Sequence, residues 1–323
     1  MTITRRTLAA AAGALALPAV ARAQEWPNGP IRIIVPFAAG GSTDAVARLA
    51  SPGLTQRLGV PVVVENRSGA AGSLGTHAVA QARPDGQTWL LTFDSHATLP
   101  ALLPNLPFNL TRDLEPVLLI GGAPYVIATR PDKPYRSLDD IVAAARARPD
   151  AINYGSTGNG TIGHLTMILL GSRANIRMAH LPYRGGGLAV NDTVAGHVEM
   201  MIGSAALVAP QISAGNLRPV VQFGPERLPA LRDVPTAAES GFPGLEAEAW
   251  WGVFAPRGTP SAAKQRMQQA LTESFREERV TRTMTEAQQA RLVLGGPEEL
   301  NRFLERQIET WGGVVRNHNI QAD

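Results

Sequence analysis

Cysteine is absent from the 323 residues, and aromatic and charged residues are sparse at 5% and 18%. Without cysteine there are no disulfides and no thiolate metal sites. The fold must rest on an apolar core, which a chain of this length with 44% hydrophobic residues is able to build. Dense basic runs interleaved with aromatics are missing too, and with them the usual footprint of a nucleic-acid binder. No internal apolar run is long enough to cross a bilayer. The six histidines, His77, His96, His164, His180, His197 and His318, make no metal-ligand spacing such as H-x-x-x-H.

The first residues, "MTITRRTLAAAAGALALPAVARAQ", are of another kind. Two arginines, an Ala/Leu-rich stretch and Ala21-Arg-Ala23 follow the order of an export signal, with cleavage expected after Ala23. Arg5-Arg6 before Thr7-Leu8 also fits a twin-arginine signal, so the sequence leaves the export route open. Removing residues 1–23 takes away Arg5, Arg6 and Arg22 and no acid, which brings the 30 basic residues of the precursor level with its 27 acidic ones. The high isoelectric point of the precursor is therefore no argument for an acidic partner.

Beyond the signal, β-rich runs alternate with helical ones, the pattern of an α/β protein with a largely parallel sheet. Ile31–Val35 leads to a helix at Asp44–Leu58, Val60–Glu65 to one at Ser73–Ala82 with Ser73 as N-cap, and Thr88–Thr92 follows. Separate apolar runs at Glu115–Ile120 and Tyr125–Thr129 flank Gly121-Gly122. Ser137–Arg148 reads as a helix with Ser137 and Asp140 in capping-box positions. "AINYGSTGNGTIGHLTMILL" then repeats the opening layout of strand, glycine-rich turn and helix. Strands at Ile176–Pro182, Val198–Ile202, Leu217–Phe223 and "WWGVFAP", a helix at Leu188–Ala195, and closing helices at Ser261–Glu278 and Pro297–Asn317 complete the reading. The simplest architecture is two α/β lobes. The chain enters the second near 121–125 and returns near 245–255, with a cleft at the ends of the strands.

Two turns carry the chemistry, "FAAGGSTD" and "YGSTGNGT". Each joins a strand to a helix N-terminus, where backbone N–H groups lack internal partners and attract anions. The first has no Lys before its Ser-Thr and is no P-loop. Gly158-Asn-Gly160-Thr-Ile-Gly163 matches G-x-G-x-x-G, but the next strand ends in Tyr183-Arg184 and glycines, without the acid a dinucleotide ribose needs. No G-x-S-x-G occurs; Ala71-Gly-Ser73-Leu-Gly75 comes nearest, with no spacing that brings His or Asp to it. Paired turns without a fixed cation suit a carboxylate better than a polyphosphate.

The phrases "WPNGPIRIIVPFAAGGSTDAVAR", "VVVENRSGAAGSLGT", "PDGQTWLL", "INYGSTGNGTIGHL", "HLPYRGGGLAVNDTVAGHVEMM", "AGNLRPV", "DVPTAAESGFPG" and "WWGVFAPRGTP" stand in that order. From about Trp26 to the C-terminus the sequence resembles the Bug/TctC-type solute receptors of tripartite tricarboxylate transporters. The resemblance implies a periplasmic-binding-protein fold of the type II-like, Venus flytrap kind, with the ligand cleft between lobes. The corresponding division is lobe 1 at 24–122, lobe 2 at 123–248, and a return to lobe 1 with the C-terminal helices at 249–323. It implies a periplasmic receptor for a small organic carboxylate, working as a monomer with a membrane permease, using no cofactor or metal and performing no catalysis. The alternative from another class is an exported α/β hydrolase or oxidoreductase.

Carried over by position, the ligand-binding residues are Phe37, Ala39, Gly40, Gly41, Ser42, Thr43 and Asp44 from the first turn. Ser156, Thr157, Gly158, Asn159, Gly160 and Thr161 come from the second, and Tyr183, Gly186 and Gly187 from the turn after the next strand. Asp44 is equally open to a helix N-cap role, and His164 is expected to be structural. Two departures matter. Ile202-Gly203-Ser204-Ala205 stands where the family often has an acid, which puts Ser204 at the site. "LLTFDSHATL" places Asp94, Ser95 and His96 where small residues are common, and Asp94 there is either a partner for a ligand ammonium or a surface acid capping a loop.

Overall fold

The computed structural model describes residues 26–321. The export signal read in residues 1–23 lies outside them. Among the described residues, ten strands join in one hydrogen-bonded network: β1 (Ile31–Val35), β2 (Val62–Asn66), β3 (Thr88–Phe93), β4 (Leu114–Thr129), β5 (Asn153–Ser156), β6 (Ala179–Pro182), β7 (Met200–Ser204), β8 (Arg218–Gln222), β9 (Glu248–Pro256) and β10 (Arg291–Gly295). Their order is β2-β1-β3-β9-β4-β7-β5-β6, with β8 and β10 also paired to β4. Each half has a parallel core, β2-β1-β3 in the first and β7-β5-β6 in the second. The two long strands between them, β4 and β9, run antiparallel to their neighbours. The sequence predicts the parallel parts; the antiparallel pair comes from the chain crossing from one half to the other and back.

The crossing strand also corrects an expectation. Residues 115–120 and 125–129 are not two strands but one, the sixteen-residue β4. Its first part pairs with β9 and β10, and Tyr125–Thr129 pairs with β7 and β8. Gly121 and Gly122 read as a break but serve a close approach. A Cβ on Gly121, at φ +156°, would lie 2.0 Å from the Arg291 carbonyl oxygen, and one on Gly122 would lie 2.6 Å from that of Ala249. Only glycine lets β9 and β10 close on β4 from both sides.

Helices cover the sheet: α1 (Ser42–Leu58), α2 (Ser73–Ala80), α3 (Leu138–Ala147), α4 (Ile162–Ala174), α5 (Gly186–Ala195), α6 (Ala205–Ser213), α7 (Ser261–Phe275) and α8 (Pro297–Asn317), with short helical turns between. At α3 the capping box forms as read: Ser137 Oγ accepts from the Asp140 N–H, and the Asp140 carboxylate accepts from the Ser137 N–H. Ser73 does not cap α2. Gly72 precedes the helix in a left-handed conformation and Ser73 is the first helical residue, with no capping bond from its side chain. In α8 the buried Leu300, Leu304, Trp311 and Val315 fall on one face, the helical spacing that places it against the core. The core is continuous through both halves. Trp89, Tyr125, Trp251 and Phe254 are fully buried along the strands nearest the crossing, each such side chain worth roughly 1.5–3 kcal/mol of apolar burial.

Candidate functional site

β1 ends at Val35 and the chain turns through 36–41 into α1. Gly40 takes φ +83° and Gly41 is the N-cap without a side-chain capping bond. Asp44 sits one turn into α1, which starts earlier than the sequence predicts, so Asp44 is not the N-cap. Its carboxylate accepts from the Gly40 N–H at 3.1 Å, from Arg48 Nε at 2.9 Å and from Asn66 Nδ2 at 3.0 Å. Burial alone would raise its pKa; these three donors outweigh burial and hold it below the usual carboxylate value. Asn66 Nδ2 also donates to the Phe37 carbonyl at 3.0 Å, so Asp44 and Asn66 together fix the shape of the turn. Phe37 packs edge-on against Phe93.

In the second half, β5 leads through 157–161 into α4, with Gly158 at φ +143° and Gly160 at φ +70°. Thr161 is the N-cap of α4, and its Oγ1 donates to the Gly158 carbonyl at 2.8 Å. Gly160 N–H donates to His164 Nδ1 at 3.1 Å. His164 stacks on His180 with ring centres 3.9 Å apart, and burial, with His180 beside it, pushes its pKa down to about 3. It is a neutral brace for the turn. Ser156 Oγ accepts from the Gly158 N–H at 3.2 Å and lies 2.7 Å from His180 Nε2.

The two halves meet at these turns. Ala38 N–H donates across to the Arg184 carbonyl at 3.2 Å. A Cβ added to Gly187 would fall 2.9 Å from the Gly40 carbonyl, and one on Gly41 only 3.6 Å from the Gly186 nitrogen. Beside this contact lies a cavity of about 280 Å³, close to the lower end of the ~300–1,000 Å³ typical of small-molecule sites. Of the residues carried over from the resemblance, Phe37, Thr157, Gly158, Asn159 and Tyr183 line it. Ala39, Gly40, Gly41, Gly186 and Gly187 form the contact between the halves. Ser42, Thr43 and Asp44 are buried in the first turn of α1, and Ser156, Gly160 and Thr161 are buried within their own loop.

Asp94, Ser95 and Ser204 are buried and do not line the cavity. Asp94 is not a surface acid. Tyr125 Oη donates to its Oδ2 at 2.5 Å, and complete burial pushes its pKa up to about 8 against the pull of Tyr125 and the Ser95 N–H. Ser95 Oγ donates to the Ala71 carbonyl at 3.1 Å. That contact points to a wall the sequence reading missed. Gly69, Ala70, Ala71 and Gly72 line the cavity, and all four have positive φ, 137°, 45°, 54° and 92°. Left-handed alanines cost on the order of 1 kcal/mol each and concentrate at functional sites. The signal was the "SGAAGS" run between β2 and α2, where two glycines bracket the strained pair.

The chemistry of the walls is one-sided. No Asp or Glu lines the cavity, and Arg184, an exposed residue, is the one charged residue at its edge. Thr157 Oγ1 is buried, with the Tyr125 hydroxyl beside it. A larger open groove of about 650 Å³ between 224–230 and 285–291 sets Glu226, Glu248 and Glu286 against Arg227 and Arg291, an acidic balance that disfavours an anion. No His, Asp or Glu cluster among the described residues is arranged to hold a metal ion.

The profile of a protein family described as "Tripartite tricarboxylate transporter family receptor" matches residues 46–320. The chain belongs to this receptor family. Protein BugT of Bordetella pertussis is 36% identical over 296 residues, 91% of this chain and 90% of that one. Among solved structures, the receptor superposes on the periplasmic binding protein BugD with a TM-score of 0.87 at 30% identity, covering 92% of this chain and 100% of BugD. Rpa4515 of R. palustris, solved with adipate, gives 0.87 at 30% identity over 92% of this chain and 99% of that one. MatC of Rhodopseudomonas palustris, solved with bound malate, gives 0.83 at 31% identity over 90% and 100%. The two-lobe α/β fold of a periplasmic solute-binding receptor, implied by the sequence phrases, is the architecture of this receptor.

Proposed function

We propose that this receptor captures a small organic carboxylate between its two lobes and releases it chemically unchanged to a membrane permease. The observation that carries this is the cavity between the glycine turns, lined without an Asp or Glu and by residues of both halves. Adipate in Rpa4515 and malate in MatC support the same ligand class. The carboxylate head lies against Thr157 Oγ1, the Gly158 turn and the turn that holds Phe37. Ala39–Gly41 and Gly186–Gly187 report closure rather than touch the ligand. Lobe boundaries follow the crossing strands, with 24–122 and 249–323 moving against 123–248, and the mature receptor begins after Ala23 and acts as a monomer. Ligand favours the closed arrangement by its greater affinity for it.

A hydrolase would need an accessible nucleophile beside a base. Among the described residues, the serine within hydrogen-bond reach of a histidine, Ser156 beside His180, is fully buried and engaged with Gly158, outside the cavity wall. Thermal shift against organic acids tests the proposal, with mass spectrometry of the recovered ligand. A bound acid at about 100 times its Kd stabilises by ~2.7 kcal/mol and comes back unaltered. Turnover of any acid, ester or amide in the same cavity would refute it.

A further inference from the structure

We infer that the turn ending α8 is a strap that positions the binding site: by holding Asn159 from across the cleft, the Gln321 carbonyl fixes one wall of the cavity and latches the closed arrangement. The inference rests on the receptor reading above and adds to it. α8 stands on the first half of the molecule. A Cβ on its Gly312 would lie 3.6 Å from that of Ala101, in the helical turn Leu99–Leu102. The end of α8 reaches the second half, where Asn159 Nδ2 donates to the Gln321 carbonyl at 2.6 Å. Asn159 lines the cavity.

The end of α8 is a built turn. Asn319 N–H donates to the Arg316 carbonyl at 3.3 Å, and Ile320 N–H to that of Val315 at 3.0 Å, the two bonds of a left-handed helix cap. Asn319 takes φ +52°, the conformation such a cap requires and one that asparagine tolerates. Ile320 packs partly buried against the core, the apolar contact that accompanies this cap. Together they reverse the chain and bring the next carbonyl, that of Gln321, to the turn after β5. On the receiving side Asn159 stands between Gly158 at φ +143° and Gly160 at φ +70°. These glycines are braced from within the second half: the Gly158 carbonyl accepts from Thr161 Oγ1, and the Gly160 N–H donates to His164 Nδ1. The Asn159 side chain is braced from the first half. Beside it a Cβ on Gly160 would lie 2.4 Å from Leu102 Cδ2, so the same turn presses on the short helix beneath α8. Parting of the lobes breaks the bond to Gln321 together with that from Ala38 to Arg184.

Calorimetric titration and dissociation rates with malate, adipate and hexanoate test this. The proteins compared are the native chain, a chain ending at Asn319, N159A, those two changes combined, N319V and N319G. The chain ending at Asn319 keeps all of α8 and is expected to fold. It should bind its best acid about 3- to 10-fold more weakly, with the change in the dissociation rate. The combined variant should bind no more weakly than N159A alone, because a single bond is lost once. N319V, whose branched side chain resists positive φ, should match the shortened chain, and N319G, which takes that conformation freely, should restore native binding. Binding within twofold of native in the shortened chain, losses that add in the combined variant, or N319G as weak as N319V would overturn the strap and leave the receptor reading standing. So would a lowered Tm of the free shortened protein with an unchanged dissociation rate, the mark of a purely structural role. Failure of the folded native protein to bind any of the three acids would overturn the receptor reading and the strap with it.

Discussion

Replacing Gly187 by alanine separates closure from stability in a single methyl group. Gly187 lies in the first turn of α5, and its φ is outside the left-handed range, so alanine is free to adopt its backbone conformation. In a helix interior alanine is favoured over glycine by ~0.5–1 kcal/mol, so the free protein should lose no stability. Across the cleft the outcome is opposite. The new Cβ would stand 2.9 Å from both the carbon and the oxygen of the Gly40 carbonyl and 3.2 Å from the Ala39 oxygen. These neighbours are backbone, so relief requires the lobes to part. Overpacking of this kind costs ~1–3 kcal/mol, which converts to a roughly 5- to 150-fold rise in Kd. Calorimetric titration with the tightest carboxylate and a thermal scan of the free protein read the two effects. Gly186→Ala is the control: its Cβ would meet the Leu207 side chain at 2.4 Å within the same lobe, so it should lower Tm. Unchanged affinity in Gly187→Ala, or a lowered Tm in its free form, would refute the reasoning that this contact belongs to closure.

Thr157→Val removes a buried hydroxyl that stands beside the Tyr125 hydroxyl, so Tm should change little while carboxylate affinity falls about 10-fold; affinity held within twofold would count against Thr157 as a ligand contact. Asp94 gives a pH signature. Its native pKa is raised from 3.8 to about 8, so it favours the fold most below pH 3.8 and that contribution is lost as pH rises towards 8. His96 and His164, both lowered to about 3, stabilise above pH 6.5 and lose that contribution as pH falls below it. Between pH 6.5 and 8 the decline belongs to Asp94, at up to about 1.4 kcal/mol per pH unit. Urea unfolding at the two pH values should show it in the native protein and not in Asp94→Asn; equal declines in both would exclude Asp94 as the source. Asn66→Ala removes one of the three donors to Asp44 and leaves the Phe37 carbonyl without a donor, and should cost about 1–3 kcal/mol of stability as well as weaken binding; a variant with native Tm would show that the turn needs no such brace.

Most of the sheet was legible because strand, turn and helix signals recur with short spacing. β1 with α1 and β5 with α4 each show an apolar run, a glycine turn and an amphipathic stretch in that order. The phrases at these turns also carried the family. What escaped was whatever depends on distant residues. Gly121-Gly122 looks like a break until β9 and β10 are placed on either side of it. β10 and α6 were missed, the first because its pairing with β4 lies far away along the chain. Asp94 reads as a loop residue, and only the fold brings Tyr125 from the crossing strand onto its carboxylate. Ala70 and Ala71 escaped for another reason: alanine rarely takes positive φ, so a rule that looks for glycine skips them. Arg184 was read only as an obstacle to a dinucleotide, since its place in a cavity wall depends on how two lobes meet.

A crystal structure of the receptor saturated with the acid that raises its Tm most tests the central claim directly. The account predicts a carboxylate within about 3 Å of Thr157 Oγ1 and of turn amides from both lobes, with Ala38 still bonded to Arg184 across the closed cleft. An acid bound elsewhere, such as the open groove beside Glu226 and Glu286, with the cavity between the turns unfilled, would contradict it.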